Sequence, residues 1–324
     1  MPSSRRKTLT ILDPVSLLGR EVTERIARTL PEVRLRFFHT GEEPEHLVAE
    51  FAGEAALVPP LADADELDGS DAVLVTTQPS AASGEHLLDW LRVHPGVALL
   101  DCTQPGIADS ETLCVAGRVP AERPARRWYH LADPALAAPL RLVAALAPFD
   151  PQAVHLTLIC PVAALGREAL DELASQGAAR LSGQPLRGLD RLPAMLAFDL
   201  APDGSGRATR LEAQLGELYP RLERRVHVID AGVFHGYLAT VQVRCSVNPT
   251  QERVRSFVRD SGGFRLARRN EIVTTTEVVE RGSVIVCGDV QARHGWVGAW
   301  LLADGLAVGG TDAVLEFVGA LSAW

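Results

Sequence analysis

The sequence predicts an α/β protein: a Rossmann-like domain with a doubly wound parallel sheet, joined to an α+β dimerisation domain with a mixed or antiparallel sheet. The first observation is the opening, TLTILDPVSLLGREVT at residues 8–23, where a short apolar run precedes apolar residues at helical spacing. The second is the alternation of strand-like and helix-like segments through residues 1–131, typical of a parallel sheet covered on both faces. The third is a set of β runs with alternating polarity after residue 150.

The opening unit has an unusual connection between its strand and its helix. It reads DPVSLLG, from Asp13 through Pro14 and Ser16 to Gly19. A loop that cradles a pyrophosphate needs glycines and backbone N–H groups that approach the phosphate closely. Here the first glycine position is Asp13, whose charge repels phosphate, and the next is Pro14, which has no N–H. The segment therefore predicts the scaffold of a nucleotide site without its chemistry.

Two interpretations of this connection remain open. One is a loop altered to accept a different nucleotide. The other, which we favour, is a loop that no longer binds phosphate, with Asp13 capping the helix and Pro14 in the first helical turn.

The remaining segments complete the two predicted domains. Further strands are predicted at residues 33–38, 55–58, 71–77, 97–101, 154–160, 226–229, 233–247 and 283–287. Helices are predicted at residues 19–30, 83–92, 140–146, 163–174, 209–224 and 311–321. The stretch rich in Pro, Ala and Arg at 120–127 predicts the crossing between domains. The predicted domains are residues 1–131 plus 305–324, and residues 132–304.

Composition narrows the function classes. The 324 residues carry a net charge of −9, which argues against a nucleic-acid or anionic-membrane surface. The N-terminal apolar run is too short for a signal peptide, and no run reaches the roughly 18 apolar residues of a membrane span. The five cysteines form no CxxC pair, which argues against a disulfide framework or a zinc cage. Together these features predict a soluble, cytoplasmic protein.

Several strings, in order, resemble the aspartate-semialdehyde dehydrogenase family over almost the whole chain. ILDPVSLLGRE stands in the place of the family's GATGAVG loop, and ALLDCTQPG in the place of its DNSSAFR segment. Similar matches follow at DAVLVTTQPSAAS, LVAALAPF, VAALGREALDEL, AMLAFDLAP, GVFHGYLATVQV and WLLADGLAVGGTDAVLEF. The nearest subgroup is a set of dehydrogenase-like paralogues whose active sites have decayed.

The resemblance implies reduction of an acyl phosphate with NADPH through a cysteine thioester. The family's nucleophile falls within residues 133–140, where Ala137 stands and no Cys, Ser or Thr occurs. Its active glutamine falls on Cys160, its relay histidine on Tyr237 and its substrate arginine on Asp230. Its phosphate arginine falls on Ile107.

Other family positions are also changed. The anion-binding pair falls near Arg210 and Ala213, with Glu217 as the surviving neighbour. The relic cofactor positions are Asp13, Pro14, Ser16, Gly19, Thr77 and Asp304, and of the loop glycines only Gly19 survives. We interpret Asp101 and Asp304 as turn or cap residues that stabilise the fold.

A relocated catalytic pair is a further hypothesis. Cys160 and His235 both fall on predicted strands that would line the family's active site, and a histidine can activate a thiol. The alternative interpretation is that Cys160 is a small buried hydrophobe and His235 a polar residue near the cleft.

The sequence as a whole predicts a pseudoenzyme that needs no cofactor or metal and acts as a homodimeric binding or structural protein. Its further partners would be an active paralogue or a small anionic metabolite, and neither nucleic acid nor a membrane. One alternative is an active NADP-dependent aspartate-semialdehyde dehydrogenase of lysine, threonine and methionine biosynthesis with displaced residues. Another is a modulator of an active paralogue through mixed dimers.

Overall fold

The structure, a computed structural model, describes residues 6–41, 46–107, 113–115, 127–185 and 190–322. The chain divides into two compact units. Unit 1 comprises Met1–Asp133 and Gly310–Trp324, and unit 2 comprises Pro134–Gly309.

The elements of the described residues are as follows. The strands are β1 (Thr8–Leu12), β2 (Arg34–Phe38), β3 (Leu47–Phe51), β4 (Glu54–Val58), β5 (Ala72–Val75), β6 (Ala98–Asp101), β7 (Leu113–Val115), β8 (Trp128–Leu131), β9 (Pro151–Cys160), β10 (Leu200–Pro202), β11 (Glu223–Ala231), β12 (Tyr237–Cys245), β13 (Phe264–Leu266), β14 (Ile285–Arg293) and β15 (Trp296–Ala303). The helices are α1 (Leu17–Thr29), α2 (Ala81–Val93), α3 (Ala137–Ala145), α4 (Arg167–Ser182), α5 (Arg207–Leu218), α6 (Gln251–Asp260), α7 (Thr275–Arg281) and α8 (Asp312–Ser322), with a π-helical segment at Gly305–Thr311.

Unit 1 is built around a six-stranded parallel sheet in the order β2-β1-β5-β6-β8-β7. Its core lies on both faces of the sheet. One cluster joins β1 to α1 and α8 through Ile11, Ile26 and Phe317, and the other contains Leu12 of β1 and Leu87 of α2. The predicted doubly wound parallel sheet is therefore confirmed.

Residues 55–58 are a strand, as predicted, but not one of the parallel sheet. They lie in β4, which pairs with β3 in a separate two-stranded antiparallel hairpin. The two-residue connection has φ of 52° at Ala52 and 84° at Gly53, the left-handed geometry that closes tight hairpins. The turn brings the chain straight back on itself, so β4 pairs locally and does not enter the parallel sheet.

Unit 2 is built around a seven-stranded sheet in the order β10-β11-β9-β12-β15-β14-β13. The pairs β11–β9 and β13–β14 are parallel and the other neighbours are antiparallel, so the sheet is mixed, as predicted. One face packs in a core against α3, α5 and α6, through residues such as Leu142, Leu211 and Val254.

Several predicted boundaries in unit 2 are wrong. The predicted helix at 209–224 runs from Arg207 to Leu218, and its last residues belong instead to β11. The predicted strand at 233–247 is shortened at its start, because Gly236 has φ of 85° and the strand begins at Tyr237. The predicted helix at 163–174 is interrupted by Gly166, with φ of 95°, and α4 begins only after it. The predicted domain crossing at 120–127 lies outside the described residues except for Arg127.

Within the described ranges, no helix has the length and apolar character required to cross a membrane.

Candidate functional site

The loop after β1 is organised by the Asp13 side chain. Asp13 Oδ1 accepts a hydrogen bond from the Thr40 backbone N–H at 2.8 Å. Oδ2 accepts from the hydroxyls of Thr40 at 2.6 Å and Thr77 at 2.8 Å. Thr40 follows β2 and Thr77 follows β5, so this carboxylate connects the ends of the two strands that flank β1. Asp13 is thus an acceptor for donors of its own chain.

The start of α1 differs from the prediction. The N-cap is Ser16, whose hydroxyl oxygen accepts from the Gly19 N–H at 2.9 Å. The same hydroxyl lies 2.9 Å from that of Thr76. Asp13 is therefore not the helix cap, and Pro14 lies in the turn before the helix and not in its first turn. The reason is that the Asp13 carboxylate is directed towards Thr40 and Thr77, which leaves the capping position to Ser16.

Gly19 is required for packing. A Cβ at this position would lie 2.5 Å from the carbonyl oxygen of Asp13 and 2.8 Å from the Cα of Pro14. Contacts of that length are sterically forbidden, so α1 approaches the loop as closely as it does only because residue 19 is glycine.

These residues do not fit a dinucleotide. A phosphate at the loop would face the fixed charge of Asp13, and Pro14 offers no N–H to hold it. Three donors that surround the carboxylate already have an acceptor.

A second internal carboxylate, Asp101, ends β6 and is fully buried. It accepts hydrogen bonds from the N–H and hydroxyl of Thr103, at 2.9 and 2.7 Å, and from the Ile107 N–H at 2.6 Å. Burial raises the pKa of Asp101, against the opposing effect of these hydrogen bonds and of nearby His130. The carboxylate holds the loop at 101–107, in line with its interpretation as a turn residue.

Ala137 is the first residue of α3, and its side chain packs against the core of unit 2. The surrounding segment, DPALAAPL at 133–140, contains no Cys, Ser or Thr. None of its side chains can form a thioester.

One cluster of polar and charged side chains in unit 2 lies where β11 and β15 end and β12 begins. Tyr237, which the sequence resemblance aligns with a relay histidine, accepts a hydrogen bond at 3.2 Å from Nη2 of Arg207, the first residue of α5. Both side chains are buried. Gly305 lies against the tyrosine ring, since a Cβ there would approach Tyr237 Cε2 to 2.1 Å.

Asp230, which the sequence resemblance aligns with a substrate-binding arginine, is half-buried in the same region. Burial raises the pKa of Asp230, the positive charge of Arg207 opposes this shift, and the negative charge of Asp203 adds to it. Arg207 and Asp230 are therefore opposite charges that act on each other within unit 2.

Asp203 itself shapes the start of α5. Its carboxylate accepts hydrogen bonds from the N–H and hydroxyl of Ser205, at 2.8 and 2.7 Å, and from the Ala208 N–H at 3.0 Å. Partial burial favours the neutral acid, but these hydrogen bonds and the charge of Arg210 outweigh it and lower the pKa of Asp203. Asp203 stays ionised and fixes the helix start from which Arg207 projects.

His235 lies near Asp304. Burial raises the pKa of Asp304, against the hydrogen bonds from the backbones of Leu306 and Ala307 and the charge of His235. Asp304 Oδ1 accepts from the Leu306 N–H at 3.0 Å, which makes it a turn residue at the start of the π-helical segment. Cys160 is 1% exposed and belongs to the apolar core of unit 2. In the hypothetical Cys160–His235 pair, the thiol therefore lies in apolar surroundings. The histidine lies close to the carboxylate of Asp304.

Sequence reasoning missed three residues of these clusters: Thr40, Asp203 and Arg207. Asp203 and Ser205 are helix-start signals, and they would have placed the start of α5 at 207. Thr40 carries no local signal, because it meets Asp13 only through strand pairing.

Among the described residues, no group of three or more His, Cys, Asp or Glu side chains could hold a metal ion.

No protein-family model matches the sequence, and no curated protein matches it. Solved structures do match. Aspartate semialdehyde dehydrogenase II from Vibrio cholerae has a TM-score of 0.84 at 18% identity, with 98% of each chain covered. A probable aspartate-semialdehyde dehydrogenase from Pseudomonas aeruginosa has a TM-score of 0.83 at 20% identity, covering 97% of this chain and 98% of its own.

A third structure contains a nucleotide. Aspartate semialdehyde dehydrogenase with NADP from Candida albicans has a TM-score of 0.68 at 12% identity, covering 98% of this chain and 100% of its own. At such identities the likeness concerns architecture: the chain has the fold of the aspartate-semialdehyde dehydrogenases.

Proposed function

We propose that this protein is a catalytically inactive member of the aspartate-semialdehyde dehydrogenase family that acts as a homodimeric binding protein without a nicotinamide cofactor. The observation that carries the proposal is the segment at 133–140, which offers no thiol or hydroxyl where α3 begins at Ala137. Loss of a nucleophile costs several orders of magnitude in rate.

The surrounding residues support the same conclusion. A relay base must accept a proton from the nucleophile, but Tyr237 stands in that place and its oxygen accepts from Arg207. A substrate carboxylate needs a cation, but Asp230 stands in that place. Arg207, the buried cation of the cluster, already faces Asp230.

The outer face of the sheet in unit 2 supports a homodimer. Its residues alternate with those of the core, and Ile229, Ile159 and Leu238 form one registered row across β11, β9 and β12. The row ends at Leu302 of β15, which is buried within the chain in a cluster with Val278 of α7. Ile159, Ile229 and Leu238 are only partly buried in the chain. A second copy on this face would remove their apolar surface from water.

Catalysis is tested by incubating the protein with aspartate semialdehyde, phosphate and NADP⁺ and following NADPH absorbance. We expect no turnover above the protein-free rate, with an active dehydrogenase of this fold as positive control. Ala137→Cys should stay inactive too, because the base and the substrate cation are also absent. Phosphate-dependent NADPH formation by the wild type would contradict the proposal.

The dimer is tested by light scattering coupled to size exclusion. We expect twice the 34.8 kDa chain mass. Ile159→Arg, which places a charge within the apolar row, should shift the protein towards the monomer. Glu85→Arg, on an exposed position of α2, is the matched control and should remain dimeric. A monomeric wild type would rule out this part of the proposal.

A further inference from the structure

We propose that the Asp13 carboxylate is an internal anion that takes the place of a phosphate in the loop after β1 and closes that loop to external anions. This inference rests on the proposed function, because both require that the loop binds no dinucleotide. It adds a specific cause, located in one side chain.

The first support is the set of donors around this carboxylate. It accepts from the N–H and hydroxyl of Thr40 and from the hydroxyl of Thr77, all within 2.8 Å. Hydrogen bonds to an ionised acceptor are shorter and stronger than neutral ones. Donors from two different strand ends converge on one carboxylate, as they would on one oxyanion.

The second support is the backbone of the same residue. Asp13 has φ of 57°, a left-handed conformation that aspartate tolerates better than most residues. Its N–H donates to the Phe38 carbonyl at 2.8 Å, and its carbonyl accepts from Ser16 N–H at 3.1 Å and the Thr76 hydroxyl at 2.9 Å. The main chain is therefore held so that the carboxylate points at Thr40 and Thr77.

The conformation of the loop after β1 therefore depends on the negative charge of Asp13, a residue of the same chain. An external phosphate would meet both a like charge and donors that are already engaged. Removing the carboxylate should leave the Thr40 and Thr77 donors without an acceptor and make the loop respond to a small oxyanion.

The test compares Asp13→Gly with Asp13→Asn. Glycine keeps the left-handed φ and removes the carboxylate, whereas asparagine keeps the side-chain size and one acceptor oxygen but removes the charge. Melting temperatures are measured in sodium formate and in sodium chloride of equal ionic strength. Formate is the probe because it carries the same carboxylate group as the missing side chain.

We expect D13G to melt about 5–10 °C below the wild type in chloride. Formate should restore at least half of that loss in D13G, saturably, and should not shift the wild type or D13N beyond the chloride control. A D13G protein that melts like the wild type, or a formate shift equal in all three proteins, overturns the proposal.

Thr77→Val provides a second test that leaves the loop backbone untouched, in case D13G does not fold. It removes one donor to the carboxylate and should lower the melting temperature by about 2–4 °C. An unchanged melting temperature would count against the internal anion. Different results would refute the two proposals. Turnover by the wild type would contradict the proposal that the protein is catalytically inactive. Absence of formate rescue would contradict only the role proposed for Asp13.

Discussion

Arg207 donates a hydrogen bond to the Tyr237 hydroxyl at 3.2 Å, and its guanidinium carbon lies 5.8 Å from the centroid of the same ring. Arg207 is 7% exposed and Tyr237 is 8% exposed. A cation held this deeply needs compensation, which the tyrosine ring and the charge of Asp230 supply. Arg207, Tyr237 and Asp230 therefore form one electrostatically coupled cluster within unit 2.

Replacing Arg207 should uncover the charge of Asp230. Arg207→Met keeps much of the side-chain volume but removes the cation, so we expect a loss of about 2–4 kcal/mol in the free energy of unfolding at neutral pH. Urea denaturation measures it. The double variant R207M/D230N should recover part of the loss, because no unpaired carboxylate remains, and strict additivity of the two changes would contradict the coupling.

The effect of R207M should depend on pH. The pKa of Asp230 is raised by burial, and without the opposing charge of Arg207 it rises further. A carboxyl whose pKa is higher in the folded than in the unfolded state favours folding at low pH, and that contribution is lost as pH rises through the folded pKa. R207M should therefore be less destabilised at about pH 4 than at neutral pH. A constant difference across this range would exclude Asp230 as the cause.

Gly305→Ala should destabilise unit 2. The added Cβ would lie 2.1 Å from Tyr237 Cε2, so the ring must move away from Arg207. We expect a cost of about 1–3 kcal/mol, measured by chemical denaturation. Gly319→Ala in α8 is the control, since a Cβ there meets nothing within 4 Å, and it should be neutral or stabilising. Equal effects of the two variants would show that the Tyr237 contact is unimportant.

Asp101→Asn should change the pH dependence of stability. Burial raises the pKa of Asp101, so the wild type gains stability as pH falls towards this pKa, whereas D101N has no such group. As the pH falls from neutral to about 4, the unfolding free energy of the wild type should therefore rise relative to that of D101N. Parallel pH profiles of the two proteins would refute this assignment.

The thiols should react slowly in the native protein. Burial raises the pKa of Cys245 to about 11 and of Cys287 to about 12, and burial together with Asp101 raises that of Cys102 well above its usual value. Cys160 is 1% exposed. We expect iodoacetamide at neutral pH to alkylate these four more slowly than free cysteine, and at comparable rates after denaturation. Fast alkylation of Cys160, followed by mass spectrometry, would instead support the Cys160–His235 pair.

Both sheets were predictable because their signals are local. Burial can be inferred directly from short apolar runs, such as residues 9–12, and from apolar residues at helical spacing, such as Val22 and Ile26. The side chains of Val22 and Ile26 are both fully buried. The strand at 55–58 is predicted correctly, but its place in the parallel sheet is not, because a run of four apolar residues does not reveal its pairing partner. The end of α5 is misplaced in the prediction because Tyr219 and Leu222 continue the apolar helical spacing beyond Leu218, although Pro220 is a helix-stop signal.

For the candidate site, the sequence predicts which residues differ from the family pattern but not the contacts that those residues make. The change to Asp13 can be seen in the sequence, but its interpretation as a helix cap was wrong, because its partners Thr40 and Thr77 are brought to it by neighbouring strands. Arg207 was missed for a related reason. A cation at a helix start becomes part of a cluster only once β12 places Tyr237 against it.

Gly19 allows α1 to approach the loop, and this has a consequence for tracing ancestry in this fold. A mutation there is eliminated by steric overlap with Asp13 and Pro14, whether or not any ligand was ever bound. Selection for folding alone is sufficient to preserve this glycine, with or without a bound nucleotide. Its presence in a sequence of this fold therefore records neither a dinucleotide-binding ancestor nor the present occupancy of the loop.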